Sequence, residues 1–158
     1  MTRKLLFAAF FSVAATGLHA DVIAPDDVAA NEYGEVEVSL TGVSGDPARG
    51  EEVMTNRGLG NCIACHQVTA LDDYPFHGEV GPTLDGAADR WTEAALRGML
   101  VNADNIFPDS AMPSFYRVSG FVRPGNGYTG RAAEGPLEPI LSAQQVEDVV
   151  AYLLTLTE

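Results

Sequence analysis

An all-α domain is what this sequence predicts, and three stretches predict it. A helix opens at Asp46-Pro47, a strongly periodic helix follows Ser142, and between them lies Cys62-Ile63-Ala64-Cys65-His66. Cys-x-x-Cys-His is the attachment sequence for a c-type haem. Two thiols three positions apart on one helical turn can each add to a haem vinyl group, and the histidine next in line lies under the iron as its proximal ligand. Cys62 and Cys65 are therefore read as the thioether anchors of one haem c, and His66 as an axial iron ligand. A redox dithiol would want a βαβ setting that is not visible here, and a structural zinc a second pair of ligands. The chain has only two cysteines, so that second pair is missing.

The amino-terminal stretch predicts the compartment. Arg3 and Lys4 precede an apolar run from Leu5 to Leu18, then His19-Ala20 and acidic Asp21. Residues 1–20 read as a secretory signal peptide cut after Ala20. The run is too short to span a membrane and no later stretch is long enough, so no membrane anchor is expected. Haem attachment after export fits a bacterial periplasm. That space permits disulfides, but both thiols are taken by the haem.

Residues 21–158 carry seven arginines, no lysine and twenty-two acids, a net charge of −15. Nucleic acid and anionic lipid are poor partners for such a surface. A solvated acidic surface is the plain reading, and steering toward a basic redox partner the sharper one. The length left after the signal suits one domain around one haem.

Residues 21–45 look like an extended arm, interrupted by Pro25, Gly34 and several acids. Within it Glu35-Val36-Glu37-Val38-Ser39-Leu40 alternates polar and apolar, which is strand periodicity. A lone strand is marginal in water, so it either packs back on its own domain or lies along a partner; a flexible terminus is the plain reading and partner binding the sharper one. Asp46 then caps a helix with Pro47 at its first position, running to about Thr55. Gly58 and Gly60 allow close backbone approach before the haem motif.

A polar loop after His66 closes on Val80-Gly81-Pro82-Thr83-Leu84. A proximal histidine needs its other ring nitrogen held by an acceptor, and the Pro82 carbonyl is the candidate. Thr92 caps a helix running to about Asn102. Trp91, at its entry, is placed to reach a haem propionate with its indole N–H or to pack in the core.

Pro113 bars a continuing helix, so Met112 sits on a constrained loop, from which its sulfur can offer the second axial ligand and raise the potential relative to bis-histidine ligation. Met54 and Met99 read as core filling. His77 is the rival ligand, but its loop lies on the proximal side. Residues 118–139 are rich in Gly and Pro and read as an irregular segment. Arg117, Arg123 and Arg131 fall in or beside it, available for haem propionates, a partner's acids or solvent. Ser142 and Gln145 form a capping-box pattern before Val146, Val149, Val150, Leu153 and Leu154.

This succession of helix, Cys62-x-x-Cys65-His66, Gly81-Pro82-x-Leu84, Met112-Pro113 and terminal helix resembles a class I cytochrome c. The resemblance implies helices around one covalently bound haem, with the domain spanning residues 46–158. More narrowly, three stretches are similar to the SoxX family, the small c-type cytochrome subunits of SoxAX sulfur-oxidation complexes. They are Gly45-Asp46-Pro47-x-Arg49-Gly50, Ala111-Met112-Pro113-Ser114-Phe115-Tyr116-Arg117 and Val149-Val150-Ala151-Tyr152-Leu153.

The SoxX resemblance implies a heterodimer with a SoxA-like cytochrome, the SoxYZ carrier protein as substrate of the complex, and a downstream cytochrome as electron acceptor. In that family thiosulfate is joined oxidatively to a carrier cysteine at a cysteine-ligated haem of the larger subunit. This chain has no spare cysteine, so no catalytic residue is expected in it and its own part is electron transfer. The arm and the loop after Val118 become interface candidates. The alternative is a free periplasmic electron carrier, or the cytochrome subunit of another dehydrogenase.

Overall fold

The computed structural model describes residues 21–158, so the expected signal peptide at residues 1–20 lies outside the described residues. Four α-helices, α1 (Pro47–Thr55), α2 (Ala87–Arg90), α3 (Glu93–Asn102) and α4 (Ala143–Leu153), are joined by irregular chain with short 3₁₀ turns. No strand forms among the described residues, and the one extended pairing is an isolated antiparallel bridge between Gly125 and Ala132.

Each long helix starts where a side chain can serve its orphan N–H groups. The Asp46 carboxylate accepts from the Ala48 N–H at 3.0 Å, and Pro47 fills the first position of α1. The Thr92 hydroxyl accepts from the Ala95 N–H at the head of α3. At α4 the box is reciprocal: the Gln145 N–H donates to Ser142 Oγ, and the Ser142 N–H to Gln145 Oε1. The single turn α2 has no sequence signal of its own. Its entry, Gly86, takes φ +69°.

Helices α1 and α4 cross at contact distance because glycine permits it. A Cβ on Gly50 would lie 2.1 Å from the Asp148 carbonyl oxygen, and one on Gly45 2.0 Å from that of Glu147. The core contains Val53 and Met54 of α1, Leu96 and Leu100 of α3 and Val146, Val149 and Val150 of α4. Each such aliphatic side chain taken from water contributes roughly 1.5–3 kcal/mol. Asp148 is buried at the crossing, accepting the Asp46 N–H at 2.9 Å and facing Arg49 at 3.3 Å.

The stretch read as an arm is built into the domain, and it is not a strand. Val36 and Leu40 are fully buried, whereas Val38 between them turns out to solvent at a bend. Strand pairing would have put all three on one face. The backbone instead finds its partners on helices and a neighbouring loop. Val36 N–H donates to the Ala94 carbonyl, and the Val36 carbonyl accepts from Arg97. Leu40 N–H donates to the Glu147 carboxylate at 2.7 Å, and its carbonyl accepts from Ile23 N–H. With those groups satisfied, no ladder partner is needed.

Candidate haem-binding site

The haem motif begins with a tight turn. Asn61 stands in the left-handed region at φ 48°, a conformation that asparagine tolerates better than most residues. From there Cys62–Ala64 form one 3₁₀ turn, and the N–H groups of Cys65 and His66 both donate to the Cys62 carbonyl. Cys62 packs against the hydrophobic core, and burial pushes its thiol up to about 12, its own backbone N–H opposing and the neighbouring Cys65 adding to the rise. No cluster of three or more His, Cys, Asp or Glu side chains suited to a metal ion forms among the described residues.

His66 is held from two sides. Its Nδ1 lies 2.7 Å from the Pro82 carbonyl oxygen, so Nδ1 carries the proton and Nε2 is the nitrogen left for a metal. Gly81 lies against the ring itself. A Cβ there would come within 2.2 Å of Cε1, 2.6 Å of Nδ1 and 2.8 Å of Nε2. The Gly81 N–H donates to the Cys65 carbonyl, and Gly78, whose Cβ would fall 2.0 Å from the Ala64 carbonyl oxygen, donates to Ile63. The loop after the motif thus folds back over it at two glycines. Of the two glycines singled out before the motif, Gly60 does sit close, 3.1 Å from the Val53 carbonyl oxygen by the same measure, while Gly58 meets only the Asn56 side chain.

The same loop is clamped at its base by Asp85, which accepts from the Thr69 N–H at 2.8 Å and the Thr69 hydroxyl at 2.6 Å. The Thr69 hydroxyl and then its N–H, with help from Thr83 and Arg90, hold the Asp85 carboxyl below its ordinary value. His77 belongs to this loop too, and both its ring nitrogens are engaged: Nδ1 accepts from Val68 N–H at 3.2 Å and Nε2 faces the Leu71 carbonyl at 3.1 Å. The rival ligand is thereby tied up in local backbone structure.

Met112 is half-buried against the core on a loop with no helical or strand structure. Its N–H donates to Ser110 Oγ, Ser114 donates to the Asn102 side chain at 2.7 Å, and Phe115 N–H to the Leu100 carbonyl. The methionine loop is therefore fastened to the end of α3 directly after Pro113, through Ser114 and Phe115. Trp91 packs edge-on against Phe107, ring centroids 5.8 Å apart at 87°. Arg117 donates to the Ser119 and Gly120 carbonyls, which commits it to its own loop.

These residues fit a covalently held haem: two thiols on one turn, an imidazole oriented through Nδ1 and cradled by a residue without a Cβ, and a tethered thioether on a separate loop. The pattern is that of a c-type cytochrome. The cytochrome c family model matches residues 47–157, and the chain belongs to that family, carrying one covalently attached haem c. It is also 57% identical to a chain in the crystal structure of SoxXA from P. pantotrophus, with a TM-score of 0.80, covering 85% of this chain and 98% of that one. That likeness supports the SoxX resemblance seen in the sequence. No curated protein matches the chain. No helix among the described residues is long and apolar enough to cross a membrane.

Sequence reasoning missed the Gly81 contact with the His66 ring and the pair Arg97–Glu147. The Gly-Pro pair was visible, but which glycine a histidine ring rests on depends on how the loop returns.

Proposed function

We propose that this chain is the monohaem subunit of a periplasmic thiosulfate-oxidising complex of the SoxXA kind, an L-cysteine S-thiosulfotransferase. A SoxA-like cytochrome is its permanent partner. The complex joins the outer sulfur of thiosulfate to a cysteine sulfur of the SoxYZ carrier. That bond releases two electrons, which this chain accepts one at a time and passes to a downstream cytochrome. The observation that carries the reading is the 57% identity to a SoxXA chain over 85% of the sequence.

In this reading Cys62 and Cys65 would hold the haem through thioether links, and His66 and Met112 would supply its iron with an imidazole nitrogen and a thioether sulfur. The bound haem supplies a one-electron couple within the domain. The protein's part is to keep the ligand set unchanged as the charge changes. The Pro82 carbonyl fixes the His66 tautomer, Gly81 leaves no room for the ring to tilt toward the loop, and the Ser114–Asn102 tether holds the Met112 loop. Trp91 is the candidate to donate its indole N–H to a propionate, since that N–H has no acceptor among the described residues. The sulfur bond is made on the partner, because both cysteines of this chain are committed to thioethers.

Native mass and subunit composition of the protein from periplasm of thiosulfate-grown cells test the reading. Co-elution with a second haem polypeptide bearing a cysteine outside its haem motifs is expected. Elution as a lone haem protein near its own mass would replace the subunit by a diffusible carrier.

A further inference from the structure

The charge of this chain is divided unevenly. Residues 117–133 contain Arg117, Arg123 and Arg131 and no acidic side chain, so the stretch is +3 while the rest of residues 21–158 is −18. The stretch is also ordered by its own bonds. Asn126 Oδ1 accepts from the N–H groups of Tyr128 and Thr129 and from the Thr129 hydroxyl, and Asn126 N–H donates to the Arg131 carbonyl beside the Gly125–Ala132 bridge. At its base the Arg117 guanidinium lies 4.8 Å over the Phe121 ring, and Ser119 donates to Asp26.

This internal order buries little. Val122 and Tyr128 are fully exposed, at 103% and 99% of their reference areas, while Arg123 lies alongside the turn near Gly130. Fixing a loop costs conformational entropy, and this loop recovers little of it by hiding its own apolar side chains. Tyrosine and arginine side chains presented on a backbone ordered by its own hydrogen bonds are the residue types that anchor protein–protein interfaces. A polyanion is a poor occupant, since the −18 carried by the rest of the chain repels it as it comes within a screening length, roughly 10 Å, of the surface. A protein with a local acidic patch meets the +3 lobe first.

We infer that the lobe of residues 117–133 is a docking surface for an acidic face of the larger cytochrome subunit, with Tyr128 and Val122 entering an apolar recess there and Arg123 and Arg131 pairing its rim. This rests on the proposed subunit role and adds to it where the subunit is held and by what chemistry. Permanent cover suits side chains that are permanently exposed on this chain alone.

The test uses the full-length holo-protein and the larger subunit of the same complex, with affinity measured by sedimentation at 50 and 300 mM salt. Tyr128→Ala and the double variant Arg123→Glu/Arg131→Glu are compared with the unchanged chain, and each variant's visible spectrum and melting temperature establish that it is folded. Each is expected to weaken the complex about thirty-fold or more, and added salt to weaken the unchanged complex more than the charge-reversed one. Variants that bind as tightly as the unchanged chain would overturn the lobe while leaving the subunit role standing. Self-association of the unchanged chain that the variants abolish would assign the lobe to a second copy and overturn the stated partner. An unchanged chain that binds no larger subunit would overturn the lobe and the subunit role together.

Discussion

Arg97 of α3 and Glu147 of α4 face each other as a buried two-point ion pair, Nε to Oε1 at 2.9 Å and Nη2 to Oε2 at 3.0 Å, with side chains 2% and 4% exposed. Burial works against the guanidinium charge, and Glu147 and Glu93 more than offset it, so the Arg97 pKa rises rather than falls. The pair also serves the amino-terminal segment, since Arg97 Nη1 donates to the Val36 carbonyl at 2.9 Å and Glu147 accepts the Leu40 N–H. Three parts of the chain that sequence separates are joined at one point.

Removing one member strands the other. Arg97→Met or Glu147→Leu is expected to lower stability by about 3–5 kcal/mol, read from the denaturant midpoint of the holo-protein. The double replacement should recover only part of that, because the Val36 carbonyl and Leu40 N–H lose their partners at about 1–3 kcal/mol each. Full recovery would mean that the segment's backbone bonds contribute nothing.

Gly50→Ala should cost about 1–3 kcal/mol or more. The added methyl meets the Asp148 carbonyl oxygen at 2.1 Å, and only separation of α1 from α4 relieves the clash. Thermal melting with retention of the haem spectrum measures it.

Gly81→Ala acts on the ligand more than on the fold. Its methyl would lie 2.2 Å from His66 Cε1, so the ring must rotate away or the Pro82 bond must lengthen. A shifted Soret band and a partly high-spin ferric spectrum are the expected result, with covalent haem content by pyridine haemochrome little changed.

Met112→Ala and His77→Phe separate the rival ligands. The first should abolish the sulfur-to-iron band of the ferric protein and lower its midpoint potential. The second should leave both unchanged and lower the melting temperature, because the Val68 N–H and Leu71 carbonyl lose their partner. An unchanged spectrum after Met112→Ala would remove that residue as a ligand.

Asp85 sets part of the acid response. Its carboxyl titrates below the ordinary 3.8 in the folded chain, so the folded state binds its proton less tightly than the unfolded one. The stability it contributes is present above about pH 4 and is lost as pH falls through 3.8 toward the depressed folded value. Melting temperature measured from pH 6 to pH 3 should therefore fall less steeply for Asp85→Asn than for the unchanged chain.

Local chemistry was legible wherever one residue type serves a neighbour a few positions away. Asp46-Pro47, Thr92 and the Ser142/Gln145 box announce α1, α3 and α4 because capping is satisfied within a single turn. The alternation in Glu35–Leu40 misled for the same reason. Period two reports only which side chains are apolar, and the partners of the Val36 carbonyl and the Leu40 N–H lie on helices some sixty and a hundred residues further along.

What the sequence determined by itself was the haem attachment motif, the three capped helices and the acidic composition, all of which follow from residue identity at short spacing. The tertiary structure decided which groups meet across the chain. It set Gly81 against the His66 ring, occupied both nitrogens of His77 and buried Arg97 with Glu147. Such pairings depend on how loops return and helices cross, and a linear pattern carries no record of that.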